Sequence, residues 1–406
     1  MKCRFCNEKI VKPFLHFEKM PIANNLRKKK QIVDELFDLK IFFCKKCYLT
    51  QTEEVQLPKI IFSENYPYQS SLSSTFLDHC KDYFNSLITD YSVSNKSFVI
   101  EIACNDGYML KLFKEKNIQH LGIEPSNIYK YAKKNKINVI RDFFSYKLAK
   151  DLTKKKISAD LVICNNVLAH VPDINDFIKG IKRLLNLNGV AVFEFPHLLQ
   201  MIKNNLFDTI YHEHYSYLSI IFLKKVFKKE KLKIIDVRKT KIHGGSLRVF
   251  VTNIDAQYKT RKSVGKIINE EIKFSLNKMS TYKDFTKNIL FYKKDVLNKL
   301  KYISQKNLKI VGYGAAAKAT TLLNFLGIDY PTISFIYDKS PQKHNRYIPG
   351  KKILIKNNEG LKRDYFDYLI IFPWNIHDEI VSDIKKVRSE SLKVITLLPK
   401  FKVIEY

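Results

Sequence analysis

The densest run of proton-handling groups in the chain is residues 207–217, FDTIYHEHYSY, where His212, Glu213 and His214 are consecutive and Tyr211 and Tyr215 flank them. An imidazole titrates near neutral pH, and a carboxylate or phenol beside it can orient it or pass a proton on. The stretch is too polar for a core strand and too aromatic for a flexible linker, so it reads as the wall of an active site. Its spacing does not fit the helical H-E-x-x-H zinc motif. A surface loop with chance histidines is the plainer alternative.

A second cluster has metal-ligand spacing. Cys3 and Cys6 form one C-x-x-C pair, and Cys44 and Cys47 form another. Two such knuckles hold tetrahedral zinc through four thiolates, with no coordination position left open, so the expected role is structural. Cys80, Cys104 and Cys164 are isolated and read as packing residues. The opening MKCRFCNEK lacks a signal-peptide core, and no apolar run reaches the roughly 18 residues of a membrane helix. The expected location is the cytoplasm, away from membranes, where disulfides are disfavoured.

The elements that must position these groups alternate strand and helix. Apolar runs SFVIEIA, HLGIEP, INVI, ADLVICNN and GVAVFEFP punctuate residues 96–250, and LKIVGYG, ISFIYD, KILI, YLIIFPW and KVITLLP follow from residue 308. This is α/β patterning with mostly parallel sheets. A chain of 406 residues exceeds one compact core. The expected division is a metal-binding domain over 1–65, an α/β domain over 66–255 with a helical lead-in, and 256–406, a helical pair followed by a smaller α/β unit.

Loops at the carboxyl ends of such strands bind ligands. In FVIEIACNDGYML these are Glu101, Asn105, Asp106 and Gly107; Glu124 ends the next strand, where an acid can accept both ribose hydroxyls of an adenosine. Asp142 and Phe143 of RDFF suit an adenine ring, and Asn165, with Asn166 after it, ends the fourth strand. In IVGYGAAAKATTLL, Gly312 and Gly314 flank Tyr313 and let a phosphate approach a helix amino terminus, Lys318 adds charge, and Asp338 ends the following strand. A NAD-type unit competes for this second pattern. His243 and Gly244 of IHGGSLRV form a tight turn, either approaching a substrate or simply closing a hairpin.

The knuckles together with E-I-A-C-N-D-G, N-V-L-A-H-V, Y-H-E-H, H-G-G-S-L-R-V and G-Y-G-A-A-A-K resemble the nucleotide-sugar C-methyltransferase family, in order and over nearly the whole chain. The resemblance implies a central class I methyltransferase Rossmann-like sheet binding S-adenosylmethionine and a small N-terminal zinc-binding domain. It also implies a second C-terminal Rossmann-like α/β domain that holds the nucleotide diphosphate of the sugar. Ala103 departs from the family's first signature glycine. Known members methylate carbon 3 of a nucleotide-linked 4-keto-6-deoxy sugar for antibiotics or polysaccharides. By that resemblance His214 is the candidate base, Tyr211 a positioner or relay, Glu213 an orienting group, and His170 of N-V-L-A-H-V a group approaching from another strand. Tyr66 and Tyr68 match a Tyr-rich segment that contacts sugar or nucleotide, although aromatic packing at a domain junction accounts for them equally well.

Other readings stay open. An O-methyltransferase on the same scaffold would need no carbon-directed base. The net charge of +31 invites an RNA-directed zinc protein. The lysines are dispersed, however, no RNA-binding signature is present, and an anionic nucleotide sugar fits the same charge. The oligomeric state is left open, and a monomer is acceptable.

Overall fold

The computed structural model describes residues 1–29, 33–62 and 69–406. Strands β1 (Leu15–Pro21), β2 (Leu36–Phe43) and β3 (Thr50–Thr52) form a small antiparallel sheet beside the two C-x-x-C turns. The turns repeat one backbone pattern. The Cys3 amide donates to the Glu8 carbonyl (2.8 Å) and the Asn7 amide to the Cys3 carbonyl (2.9 Å); Cys44 with Leu49 and Tyr48 with Cys44 repeat this at 2.9 and 2.8 Å. Asn7 and Tyr48, at φ 59° and 74°, turn each knuckle back on itself.

The central sheet contains β4 (Phe98–Ile102), β5 (Gln119–Ile123), β6 (Val139–Ile140), β7 (Ala159–Asn165) and β8 (Leu185–Pro196), all parallel. The chain then lends β9 (Ser216–Tyr217) to the small sheet, where it pairs with β3. It returns as a hairpin of β10 (Leu232–Thr240) and β11 (Ser246–Asn253), with β11 antiparallel to β8. The full order is β6-β5-β4-β7-β8-β11-β10, a class I methyltransferase sheet. Side chains alternate across it, as strand geometry requires. Val99, Leu161 and Ile163 join Phe76, Tyr83 and Phe84 of helix Ser74–Asp90 on one face, and Ile100, Val162 and Cys164 join Phe177, Ile178 and Ile181 of helix Ile174–Leu184 on the other.

Helices Lys262–Lys273 and Met279–Gln305 lead to the third sheet. Its strands are β12 (Ile310–Tyr313), β13 (Phe335–Asp338), β14 (Leu354–Asn357), β15 (Tyr368–Ile371), β16 (Lys393–Thr396) and β17 (Lys402–Glu405), in the order β14-β13-β12-β15-β16-β17. Only β17 runs antiparallel to its neighbour. The fold class read from the sequence is the one found, with the hairpin β10–β11 as an element that reading did not separate. Among the described residues no helix is long and apolar enough to cross a membrane.

The three sheets share one aromatic contact. Phe17 of β1, Phe207 and Phe325 of helix Ala317–Leu326 meet with ring centroids 4.8, 5.1 and 6.3 Å apart. Such contacts contribute beyond area burial, by about 0.5–1.5 kcal/mol per pair. A buried carboxylate supplies a second tie. Glu271 accepts from His197 Nε2 (2.7 Å) and from the Ile220 and Ile221 amides (2.7 and 2.8 Å), which cap helix Ile220–Lys229. Replacing Glu271 by Ala strands those donors in the interior. We expect a loss of about 3–5 kcal/mol, read as a lower urea midpoint, with Glu271→Gln milder.

Candidate functional site

A cavity of about 840 Å³ runs from the carboxyl edge of the central sheet to that of the third sheet. At one end lie Glu124, Asp142, Phe143, Asn105, Asn165 and Asn166. The Glu124 carboxylate accepts from the Asn105 amide (3.0 Å) and from the Ser126 amide (2.9 Å) and hydroxyl (2.5 Å). Burial raises its pKa, against the pull of those donors. Ala103 and Asn105 sit at φ 57° and 52°, in the left-handed region, so a glycine signature is natural here and Ala103 holds the turn at some cost. The side-chain oxygens of Asn165 and Asn166 are buried and have no partner among the described residues. Polar atoms left open around a carboxylate and an aromatic ring fit the adenosine and amino-acid parts of S-adenosylmethionine.

Three of the expected donor-site residues stand behind this wall. Glu101 is fully buried beneath the loop, its pKa pushed well up by burial and then by Asp106 and Glu124. Asp106 accepts from the Ser71 amide (3.2 Å) and hydroxyl (2.6 Å), and so holds the segment that roofs the pocket. Gly107, at φ 80°, opens helix Tyr108–Glu115.

The middle of the cavity is lined by Tyr211, His214, His170 and His243. His214 Nδ1 lies 2.7 Å from the Thr209 carbonyl, and its Nε2 lies 2.9 Å from the Tyr211 hydroxyl. A carbonyl can only accept, so Nδ1 carries the proton and Nε2 presents a lone pair to the phenol. His170 repeats the arrangement, with Nδ1 2.7 Å from the Glu213 carbonyl and its ring centroid 4.6 Å from that of His214. Burial lowers all three imidazoles. His170 falls to about 4; His243 also falls to about 4, helped by Lys318; His214 falls well below its ordinary value, helped by His170. The cavity therefore holds neutral bases.

Glu213 does not reach the cavity wall. Its carboxylate accepts from the Asn24 amide and side chain, both at 3.1 Å, tying the segment 207–217 to the small sheet's loop. His212 packs edge-on against Phe37. The IHGG turn both closes the β10–β11 hairpin and delivers His243, at φ 54°, to the cavity. Gly244 stays behind it, where an added Cβ would run into the Trp374 ring, so the position needs glycine. Tyr66 and Tyr68 lie outside the described residues.

At the far end are Tyr313, Gly314, Asp338, Lys339, Lys343 and Asn375, with Lys318 between them and the imidazoles, while Gly312 is covered. Asp338 accepts from the Ala315 amide (2.7 Å), the Ser340 amide (2.8 Å) and Lys343 Nζ (3.0 Å), so it braces the glycine turn as Glu124 braces its own loop. Two residues beyond the sequence reading matter here. Trp374, the only tryptophan, donates from Nε1 to Asp208 at 2.7 Å and packs against Gly244. Glu379 accepts from the Ser73 hydroxyl (2.8 Å) and the Ser74 and Thr75 amides (3.3 and 3.1 Å), capping helix Ser74–Asp90 from the third sheet's domain. The uniqueness of Trp374 was a usable signal; nothing local marks Glu379.

The cysteines Cys3, Cys6, Cys44 and Cys47 converge, their sulfurs all within 4.8 Å of one another. Cys3–Cys47 and Cys6–Cys44 stand at 3.5 and 3.6 Å, close to the roughly 3.8 Å edge of a tetrahedron with Zn–S bonds of about 2.3 Å. The set fits a closed zinc site, and Phe5 beside it packs edge-to-face on Phe222.

Two outcomes follow from these geometries. Zinc removal by a chelator, or Cys44→Ser, should lower the melting temperature and release the metal seen by elemental analysis. The buried imidazoles have folded-state pKa values below the unfolded value of 6.5, so the unfolded chain binds more protons below that pH. Stability should thus fall as pH drops from 6.5 towards about 4, and His243→Gln should flatten the urea midpoint across that window.

The matches with known proteins run along the chain in the order of its sheets. The family described as "Putative zinc binding domain" matches residues 3–62, "Methyltransferase domain" matches 81–237, and "C-methyltransferase C-terminal domain" matches 241–399. C-methyltransferase NovU of Streptomyces niveus is 27% identical over 406 residues, spanning 99% of this chain and 96% of its own length. A tRNA U34 carboxymethyltransferase of Campylobacter jejuni is 25% identical over 135 residues, 31% of this chain and 46% of its own. The structure of magnesium protoporphyrin IX methyltransferase from Synechocystis PCC 6803 with bound SAM shares a TM-score of 0.33 and 13% identity, over 44% of this chain and 79% of that one, a likeness too loose to bear on the site. The chain is an S-adenosylmethionine-dependent methyltransferase built on the domain plan of the C-methyltransferases.

Proposed function

We propose that the acceptor is a carbon next to the ketone of a nucleotide-linked 4-keto (deoxy)sugar, methylated in the making of a surface polysaccharide or glycan. The observation that carries this reading is the Tyr211–His214 pair. A neutral base with a fixed tautomer stands inside the cavity that joins the donor pocket to the glycine loop of the third sheet. A methyl transfer to oxygen has little need of such a base, whereas a carbon must first lose a proton. The C-methyltransferase relative supports carbon as the acceptor. Gly314 at φ 88°, with Lys339 and Lys343 nearby, supports a diphosphate at the far end.

In this reading the carbon beside the ketone gives its proton to His214 Nε2, directly or through the Tyr211 hydroxyl, and the electron pair moves onto the ketone oxygen as an enolate. The Thr209 carbonyl keeps the imidazolium oriented while it exists. Bound S-adenosylmethionine supplies an electrophilic sulfonium methyl to the carbanionic carbon. The thiolate knuckles fill a zinc ion's coordination sphere and leave it no part in the chemistry.

Mass spectrometry of reactions with paired 4-keto and 4-hydroxy nucleotide sugars tests the reading. A methyl gain confined to the keto sugars, falling roughly 10²–10⁴-fold on His214→Asn, is expected. Gain on hydroxy sugars, or indifference to His214→Asn, would turn the assignment to oxygen. Because the His214 pKa is depressed, the acid limb of kcat/KM should lie well below pH 6.5.

A further inference from the structure

Lys318 stands where the parts of the cavity meet. It is the second residue of helix Ala317–Leu326, and the first turn of that helix is fastened to the catalytic segment. Thr321 Oγ1 donates to the Ile210 carbonyl (3.2 Å), and Thr320 Oγ1 donates to the Ala23 carbonyl (2.9 Å). Residues three apart share a helix face, so Lys318 lies on the face that meets Ile210 and Tyr211. Its Nζ donates to Asn375 Oδ1 (3.0 Å) and lies 4.7 Å from the centre of the Trp374 ring.

An ammonium has three donors, and no carboxylate among the described residues forms an ion pair with this one. Burial lowers the Lys318 pKa, against the pull of Asp208, which is itself engaged by Trp374 Nε1. The charge of Lys318 also reaches His214 and His243, holding both imidazoles down. A phosphate anchor belongs with Lys339 and Lys343 at the far end. Lys318 instead faces the neutral bases, where a negative charge must appear.

We propose that Lys318 is a catalytic residue whose ammonium donates a hydrogen bond to the ketone oxygen of the acceptor and holds the charge that develops there. The proposal rests on the acceptor argued above. As the C–H bond breaks, its proton goes to the Tyr211–His214 pair and its electron pair ends on that oxygen. Lys318 keeps its own protons throughout. When the carbon–methyl bond forms, the oxygen returns to a ketone and the thioether leaves with the sulfur–carbon electron pair. A fixed donor in a site shielded from water favours the enolate far more than the ketone, so its effect belongs to the rate and not to substrate binding.

Deuterium uptake isolates this step. The full chain is mixed with a nucleotide-linked 4-keto sugar and S-adenosylhomocysteine in D₂O, and exchange at the carbon beside the ketone is followed by NMR. For Lys318→Met we expect exchange and the kcat of methyl transfer to fall together, roughly 10²–10³-fold, with KM for the sugar nucleotide within a few-fold and donor binding unchanged. Ethylamine added to Lys318→Ala should restore part of both rates. A higher KM with exchange and kcat intact would make Lys318 a phosphate anchor and overturn the proposal. So would a Lys318→Ala protein that binds the donor yet ignores the amine. A wild-type chain that neither exchanges nor methylates any keto sugar would instead remove the acceptor reading itself.

Discussion

The Thr209 carbonyl, 2.7 Å from His214 Nδ1, is the constraint around which the rest of the molecule is arranged. It commits one ring nitrogen and leaves the other basic. The arrangement works only while the carbonyl stays fixed and water stays out. The short turn Phe207–Thr209 carries that carbonyl, and each of its neighbours is held from a different part of the chain. Phe207 is wedged between Phe17 and Phe325, Asp208 is bound by Trp374, and Ile210 by Thr321. Beyond them Glu213 is held by Asn24, and Ser216–Tyr217 pairs with β3. The small amino-terminal sheet therefore does more than hold metal. It is one jaw of the clamp that keeps the bases in place.

The two Rossmann-like units use the same local device. In each, a carboxylate at the end of the second strand accepts the amide of the loop after the first strand and the amide two residues further on. Glu124 does this with Asn105 and Ser126, and Asp338 with Ala315 and Ser340. Loops that must approach a ligand closely cannot bury apolar side chains to stiffen themselves, so a charge-assisted bond does the stiffening. The difference lies in what faces outward: asparagines and Phe143 in the first unit, lysines in the second.

Much of this was legible because it is written locally. The strand runs are apolar almost throughout because both faces of their sheets are covered, and the cysteine spacing fixes both knuckles whatever surrounds them. Tyr211, His214, His170 and His243 all reach the cavity. Glu101, Asp106, Gly107, Glu213, Gly244 and Gly312 lie close by but behind its wall, because spacing within a turn does not say which way each residue points. The IHGG turn is readable as the close of a hairpin, while strands β10 and β11 on either side of it lack the apolar runs that mark the parallel strands. Asn24, Trp374 and Glu379 act across 166 to 306 positions of sequence, and no pattern within a window connects such partners.

Glu379 carries one more implication. Helix Ser74–Asp90 has its own cap in Ser73, whose hydroxyl accepts the Phe76 amide, yet the Ser74 and Thr75 amides are held by a carboxylate from another domain. That helix begins at the roof of the donor pocket, with Ser70 and Ser71 bonded to Asn105 and Asp106. Swinging the third domain away would uncover amides and loosen the roof in one motion. Roof and far wall are thus joined through one short helix start, Ser70 to Thr75.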